Sequence, residues 1–306
     1  VSALRAFLTD PSQTKLIHSA SEDLEVFSHW LGVLPAPLFD TQRAAALLGL
    51  GAGQSYRALV AHFFDIELPK DETQSDWLQR PLTAAQAQYA AQDVTYLHPM
   101  GVQLLNLAME RHRLEWILEE GARLRPGGKP PIAKFKTAYR LPPEQQRVLA
   151  EVVDWREGEA RHRDRPRSWI LNDKIVTGVA RSVPRSVREL AAVEDMPQGL
   201  VRRAGDELVA RIVAAADTDS DQSPAMILKP LASEQRGLVS VLSERLKQIA
   251  ESLDIPAEVL MPKADLEHLV REQMNPSLAA PENWSGWRAD TVVVPLRQSL
   301  KERAAS

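Results

Sequence analysis

Tyr89 and Asp93 stand four residues apart in Thr83–Leu105, a run with the composition of a helix. On a helix, positions i and i+4 share one face, so the phenol and the carboxylate point the same way. A carboxylate can hold a divalent cation, and a phenol beside it can orient or deprotonate a water. A surface acid one turn after a half-buried aromatic has the same spacing, so the pair gains meaning only from its surroundings. A second acid, Asp23, follows the short apolar run Lys15-Leu-Ile-His18, which reads as a buried strand. Ser19-Ala-Ser21-Glu-Asp23 offers an N-cap serine and acids for the first turn of a helix. Glu22 and Asp23 would then lie at the carboxyl end of a strand, where open α/β sheets gather ligand sites. Asp40 closes a second short strand, Leu38-Phe39, ahead of a helix over Thr41–Leu50. It reads first as the cap of that helix and second as a metal ligand, while Glu22 reads first as a helix-dipole partner and His18 as structural.

The elements around these residues alternate apolar runs with turn signals. Helices are expected over Ser2–Leu8, Leu24–Leu31 (with Leu24, Phe27, Trp30 and Leu31 inward), Ser55–Phe64 and Val102–Leu124. Lys70–Gln74 reads as a polar turn. The glycines at 49, 51 and 53 form a loop without the spacing of a phosphate-binding fingerprint. The 306 residues suffice for two or three domains. The chain has no cysteine, which excludes disulfides, thiol catalysis and cysteine-based zinc sites and fits a cytoplasmic protein. No apolar run is long enough to span a bilayer, and the seven histidines lack paired metal-ligand spacing. The net charge of −4 is uneven: residues 1–120 carry 8 Lys/Arg against 15 Asp/Glu, whereas 121–142 carry 6 and none. An acidic first part beside a basic segment fits a metal-using protein that handles a polyanion, and equally a solvated tether between ordinary domains.

Taken together, His18-Ser-Ala-Ser-Glu-Asp23-Leu-Glu-Val-Phe27, Asp76-Trp-Leu-Gln-Arg-Pro-Leu82 and Tyr89-Ala-Ala-Gln-Asp93 resemble, in order and spacing, the second exonuclease motif, the following loop and the tyrosine form of the third motif of the ribonuclease D family. The resemblance implies a ribonuclease-H-like α/β exonuclease domain, two divalent cations (magnesium or manganese) held by four acids, and removal of nucleotides from RNA 3′ ends, with tRNA precursors as the typical substrate and a monomeric, cytoplasmic enzyme. Carried over, Asp23 and Asp93 would each ligate a metal and Tyr89 would position the attacking water, while Trp77 and Arg80 read as RNA contacts, with packing of Trp77 beneath the loop as the equal alternative. The family's first motif, an Asp-x-Glu on the first strand, has no counterpart before Asp23, where Asp10 stands alone before Pro11. The expectation is therefore an N-terminally incomplete exonuclease domain over 1–124, with an uncovered strand at Lys15–His18 and little or no nuclease activity for this chain by itself. The alternative is a non-catalytic RNA-binding or assembly protein that keeps the fold.

Downstream, 125–142 reads as a basic connector in which Lys129, Lys134, Lys136 and Arg140 alternate with Phe135 and Tyr139, a pattern suited to phosphate contact and base stacking and equally to a solvated tether whose two aromatics dock on a neighbour. A helical domain is expected over 143–217. Between Trp155 and Arg188 it holds 9 basic and 4 acidic residues, among them Arg161, Arg163, Arg165 and Arg167. Trp155-Arg156, the basic run and the apolar helix after it resemble the HRDC (helicase and ribonuclease D C-terminal) domain, which implies nucleic-acid contact. A polar linker over 217–224 leads to helical periodicity over 232–300. This last stretch resembles a second, diverged HRDC domain whose charge is not basic, with Trp284 and Trp287 read as core or inter-domain contacts.

Overall fold

The computed structural model describes residues 1–69, 75–127, 130–218 and 227–304. The expected turn at Lys70–Gln74, Lys129 and most of the linker over 217–224 lie outside them. The chain forms two compact units, one from Val1–Gly127 with Leu231–Ser306 and one from Gly128–Pro230. This differs from the division expected above: residues 231–304 share a core with the first segment instead of standing alone, and most of the basic connector belongs to the second unit.

The first unit opens with helix α1 (Ser2–Thr9), strand β1 (Lys15–Ile17), helix α2 (Ser21–Val26), strand β2 (Leu38–Asp40), and helices α3 (Thr41–Leu47), α4 (Tyr56–Phe64), α5 (Ala84–Thr95), α6 (Leu97–Glu110) and α7 (Leu114–Arg123). The strands pair in parallel, Leu16 opposite Phe39 and Ile17 opposite Asp40. Alternation sends Leu16 and Phe39 into the main core and Ile17 and Leu38 toward Ala20, Leu24 and Leu124. Lys15 is buried in a strand, which is tolerable because its ammonium donates to the carbonyls of Asp10 (2.6 Å) and Ala36 (2.7 Å). The helix after β1 does not hold a straight α register. It widens into a π turn over Phe27–Leu31, which leaves Leu24 and Leu31 buried and Trp30 exposed, contrary to the inward place expected for Trp30. The long helices expected around Tyr89 and after Val102 break at Tyr96, three residues before Pro99, and again at His112, which adopts a positive φ of 55°.

Asp40 ties the strand ends together. Its carboxylate accepts the N–H groups of Gln42 (2.9 Å) and Arg43 (3.2 Å) at the start of α3, and those of Ser19 (3.2 Å) and Ala20 (2.9 Å) at the start of α2. The cap reading of Asp40 thus holds. The serines expected to cap α2 do not, since that helix starts at Ala20 without a side-chain cap of its own. Beside this knot, His18 Nδ1 lies 2.9 Å from Thr41 Oγ1, and its ring meets the edge of Tyr56 with centroids 5.7 Å apart.

Helix α7 packs against β2 at Gly121, where a Cβ would overlap the carbonyl oxygen of Leu38. Its other side meets Trp287 and Arg288 from the C-terminal part of the unit. The second unit supplies the helices that follow in the chain: α8 (Pro143–His162), α9 (Arg167–Ile170), α10 (Asp173–Ser182), α11 (Val187–Ala191) and α12 (Gln198–Asp217). Helices α13 (Ser233–Leu253), α14 (Ala257–Leu260), α15 (Lys263–Met274) and α16 (Val294–Ala304), with the π turn Ala289–Val293 that leads into α16, place Leu242, Leu266, Val292 and Leu296 in one core with Leu47, Leu104 and Ile117. Trp116 stacks on Trp287 at 4.6 Å, and Glu120 accepts from Arg288 (2.7 Å) and from the Trp287 indole (3.3 Å). Arg113 donates to the carbonyls of Leu47 and Leu253. In the second unit α8 packs against α10 and α12 around Val148, Val152, Val176, Val179 and Leu208. Ile132, Phe135 and Leu141 of the basic segment dock on that core, so the aromatic Phe135 is a packing residue.

Gly121→Ala should cost about 1–3 kcal/mol, because the obstacle is backbone that cannot yield; urea unfolding midpoints measure it. Burial lowers the His18 imidazole from its ordinary 6.5, against the opposing pull of the Asp40 charge. The unfolded chain therefore binds more protons below about pH 6.5, and the stability present above that pH is lost as pH falls toward the folded value. His18→Gln should flatten this acid-side slope in urea titrations run from pH 7 to 5.

Candidate active site and nucleic-acid interface

Helix α5 begins with a closed capping box. Gln86 donates its N–H to Thr83 Oγ1 (3.1 Å), and its side-chain oxygen accepts the Thr83 N–H (2.9 Å). The Gln86 amide is buried and reaches further, to the carbonyl of Asp76 (2.9 Å) and Ser75 Oγ (3.2 Å). One side chain thus fixes both the start of α5 and the loop before it. The loop is turned by Asp76, which accepts the Leu78 N–H at 3.0 Å and leaves Leu78 in solvent. Trp77 comes to lie against Tyr89, ring centroids 5.9 Å apart, one turn before Asp93 on the same helix. Arg80 does not extend outward; its guanidinium donates to the carbonyls of Trp77 (2.9 Å) and Gln79 (2.8 Å).

Asp93 and Asp23 are both solvent-accessible, yet each carboxyl is pushed above the ordinary 3.8. Loss of solvent is the main cause in both. For Asp23 the charges of Glu22 and Asp40 add to it. Both carboxylates are therefore short of compensating positive charge. A residue that the sequence did not single out lies next to Asp93: Tyr56, on α4. Loss of solvent and the Asp93 charge raise its phenol above 10.0, while its oxygen accepts the N–H of Tyr96 at 3.0 Å. Its ring also takes the edge of His18, so Tyr56 links the break after α5 to the end of β1. Its signal in the sequence was only a place next to the capping Ser55, indistinguishable from core packing.

The donor types of Asp23 and Asp93 suit a hard divalent cation. Among the described residues, however, no group of three His, Asp or Glu converges as a metal site, so these acids alone do not make the four-acid centre. Behind Asp40 lies a cavity of ≈ 450 Å³ lined in part by Arg43, Arg123, Arg288 and Glu120. Its arginines converge on Glu120, at 3.5, 3.8 and 2.7 Å, which marks it as an interior ion-pair cluster.

In the second unit the basic residues separate by environment. Arg156 is fully buried and donates to the Leu171 carbonyl (3.1 Å) and Asp173 (2.7 Å), so it forms no part of a basic surface. Lys134 pairs with the same Asp173 at 3.1 Å. Arg163 pairs with Glu159 at 2.5 Å and Arg167 with Glu157 at 3.5 Å. Lys136, Arg161 and Arg165 are exposed without an ion pair among the described residues.

A family model described as 3′-5′ exonuclease matches residues 1–108, and one for the HRDC domain matches residues 145–212. The ribonuclease D of Pseudomonas paraeruginosa is 38% identical over 301 residues, covering 96% of this chain and 80% of that protein. That of Xanthomonas oryzae pv. oryzae is 34% identical over 307 residues, covering 97% and 82%. The crystal structure of Escherichia coli ribonuclease D, described as an exoribonuclease involved in structured RNA processing, superposes with a TM-score of 0.80 at 31% identity, covering 98% of this chain and 82% of that one. With an exonuclease segment followed by an HRDC domain, and with this similarity along nearly its whole length, the chain belongs to the ribonuclease D family.

Proposed function

We infer that the chain is a metal-dependent 3′→5′ exoribonuclease of the ribonuclease D type, with RNA as its substrate and tRNA precursors as the expected class. The observation that carries the assignment of roles is the construction of α5: Tyr89 and Asp93 share one face, and Gln86 and Thr83 anchor the helix to the loop that lays Trp77 against Tyr89. Asp23 and Asp93 are read as two of four metal-holding acids. Two divalent cations, magnesium or manganese, would supply a hydroxide near neutral pH and offset charge at the leaving 3′ oxygen. The chain's own residues contribute position. Asp40 fixes the turn that presents Asp23. Trp77 restricts the Tyr89 ring, whose hydroxyl orients the attacking water in line with the terminal phosphodiester. Arg161, Arg163, Arg165 and Arg167, with Lys134 and Lys136, are read as a basic surface that meets RNA phosphates, the unpaired members contributing most. Arg80, folded onto its own loop, is read as a loop-shaping residue that touches RNA only at the loop surface. Residues 232–300 are read as a second, diverged HRDC domain whose helices α13–α16 share the core of the first unit. A monomer in the cytoplasm completes this reading.

Because no group of three His, Asp or Glu converges on a metal position among the described residues, residues 1–306 by themselves should turn over RNA slowly or not at all with added Mg²⁺. Preceded by a strand carrying Asp-x-Glu, the chain should shorten a 3′-labelled single-stranded RNA one nucleotide at a time. In that active form Asp93→Asn should remove turnover and leave RNA affinity unchanged, and undiminished turnover would sink the assignment. Tyr89→Phe should lower kcat at least about a hundredfold with little change in KM.

A further inference from the structure

Trp169 is 70% exposed, an indole face in water on the second unit. The residues after it, Ile170 and Leu171, are buried, so the short helix α9 is anchored while the indole stays outside. Around it lie three cations from two places in the chain. Arg165 sits 5.7 Å from the ring centroid, and Arg163 and Arg203, the latter from α12, line the same shallow depression. Arg163 has Glu159 as partner, whereas Arg165 and Arg203 have no ion pair among the described residues. Two acids of this region are already committed, Glu157 to Arg156 and Arg167, and Asp173 to Arg156 and Lys134, while the exposed Asp164 makes no ion pair among the described residues.

A single exposed apolar residue calls for no special account, but an indole flanked by three guanidinium groups, two of them without an ion pair among the described residues, has a specific complement. An unpaired nucleobase stacks on the ring while the adjoining phosphates meet the cations. An acidic peptide would satisfy the arginines and leave the ring face unused, and a duplex keeps its base faces covered. We propose that Trp169, with Arg163, Arg165 and Arg203, is a stacking platform for an unpaired base of single-stranded RNA on the HRDC domain. The choice of RNA rests on the exoribonuclease reading. The platform itself assigns a binding role to Trp169 and Arg203, which neither the basic run nor the motifs of the exonuclease segment identify.

The test uses the full chain with EDTA, so that no RNA is hydrolysed, and fluorescence anisotropy of an end-labelled, unstructured 12-nucleotide RNA at several salt concentrations. Trp169→Ala should weaken binding roughly tenfold, whereas Trp169→Phe should stay within about threefold of the wild type. Arg165→Gln and Arg203→Gln should each weaken binding and reduce the slope of log affinity against log salt by about 0.7. A blunt RNA duplex should bind wild type and Trp169→Ala equally. Circular dichroism checks that each variant is folded, and the exposure of Trp169 makes substitution there harmless to the core. Equal affinity of wild type and Trp169→Ala for the single strand overturns the platform, as does an equal loss on the duplex or a wild type that does not bind the single strand. The exoribonuclease reading is judged separately, by the turnover of Asp93→Asn, in which Trp169 has no part.

Discussion

One carboxylate holds the exonuclease segment in shape. Asp40 gathers four backbone N–H groups, two from the start of α3 and two from the turn after β1. Hydrogen bonds to a charged acceptor contribute about 1.5–3 kcal/mol each, and here they join segments 20 residues apart. Because the acceptor is one rigid group, the end of β2 and the end of β1 cannot shift independently. Asp23, one turn into α2, inherits its position from that junction. An acid that looks like a ligand by type thus acts by fixing the place of another acid.

Helix α7 serves a similar purpose on a larger scale. Glycine at 121 lets it lie against the backbone of β2, and Glu120, one residue earlier, receives Arg288 and Trp287 from the C-terminal helices. The strand that ends in Asp40 is therefore braced through α7 by residues more than 150 positions downstream. Removing one member of such a buried ion pair leaves the other uncompensated, which typically costs about 3–5 kcal/mol. The C-terminal helices are part of the scaffold of the exonuclease segment, whatever else they do.

Much of this was legible in the sequence wherever local chemistry decides structure. The strands at Lys15 and Leu38, the cap at Asp40 and the shared face of Tyr89 and Asp93 follow from short-range pattern. What stayed hidden depends on long-range partners. Nothing local distinguishes Tyr56 from a core tyrosine, because its meaning comes from Asp93 and His18. Arg156 counted as one more positive charge until Asp173 and the core enclosed it. The exposure of Trp30 depends on a π turn that no residue spacing announces. The union of 231–304 with the first segment rests on contacts such as Trp116 with Trp287, which periodicity cannot foresee.

That union has a consequence for how the molecule is made. The first unit is discontinuous in the chain, with the whole of the second unit inserted between its two parts. Its core needs Leu296 and Leu300 alongside Leu47 and Leu104, so it cannot close until the chain has been made through Leu300. The inserted unit is continuous, its contacts are local, and such units fold early and fast. During translation the helical unit can be complete while the exonuclease segment still shows unpaired apolar faces, a window in which that earlier-made half depends on the ribosome's surroundings to keep it from sticking.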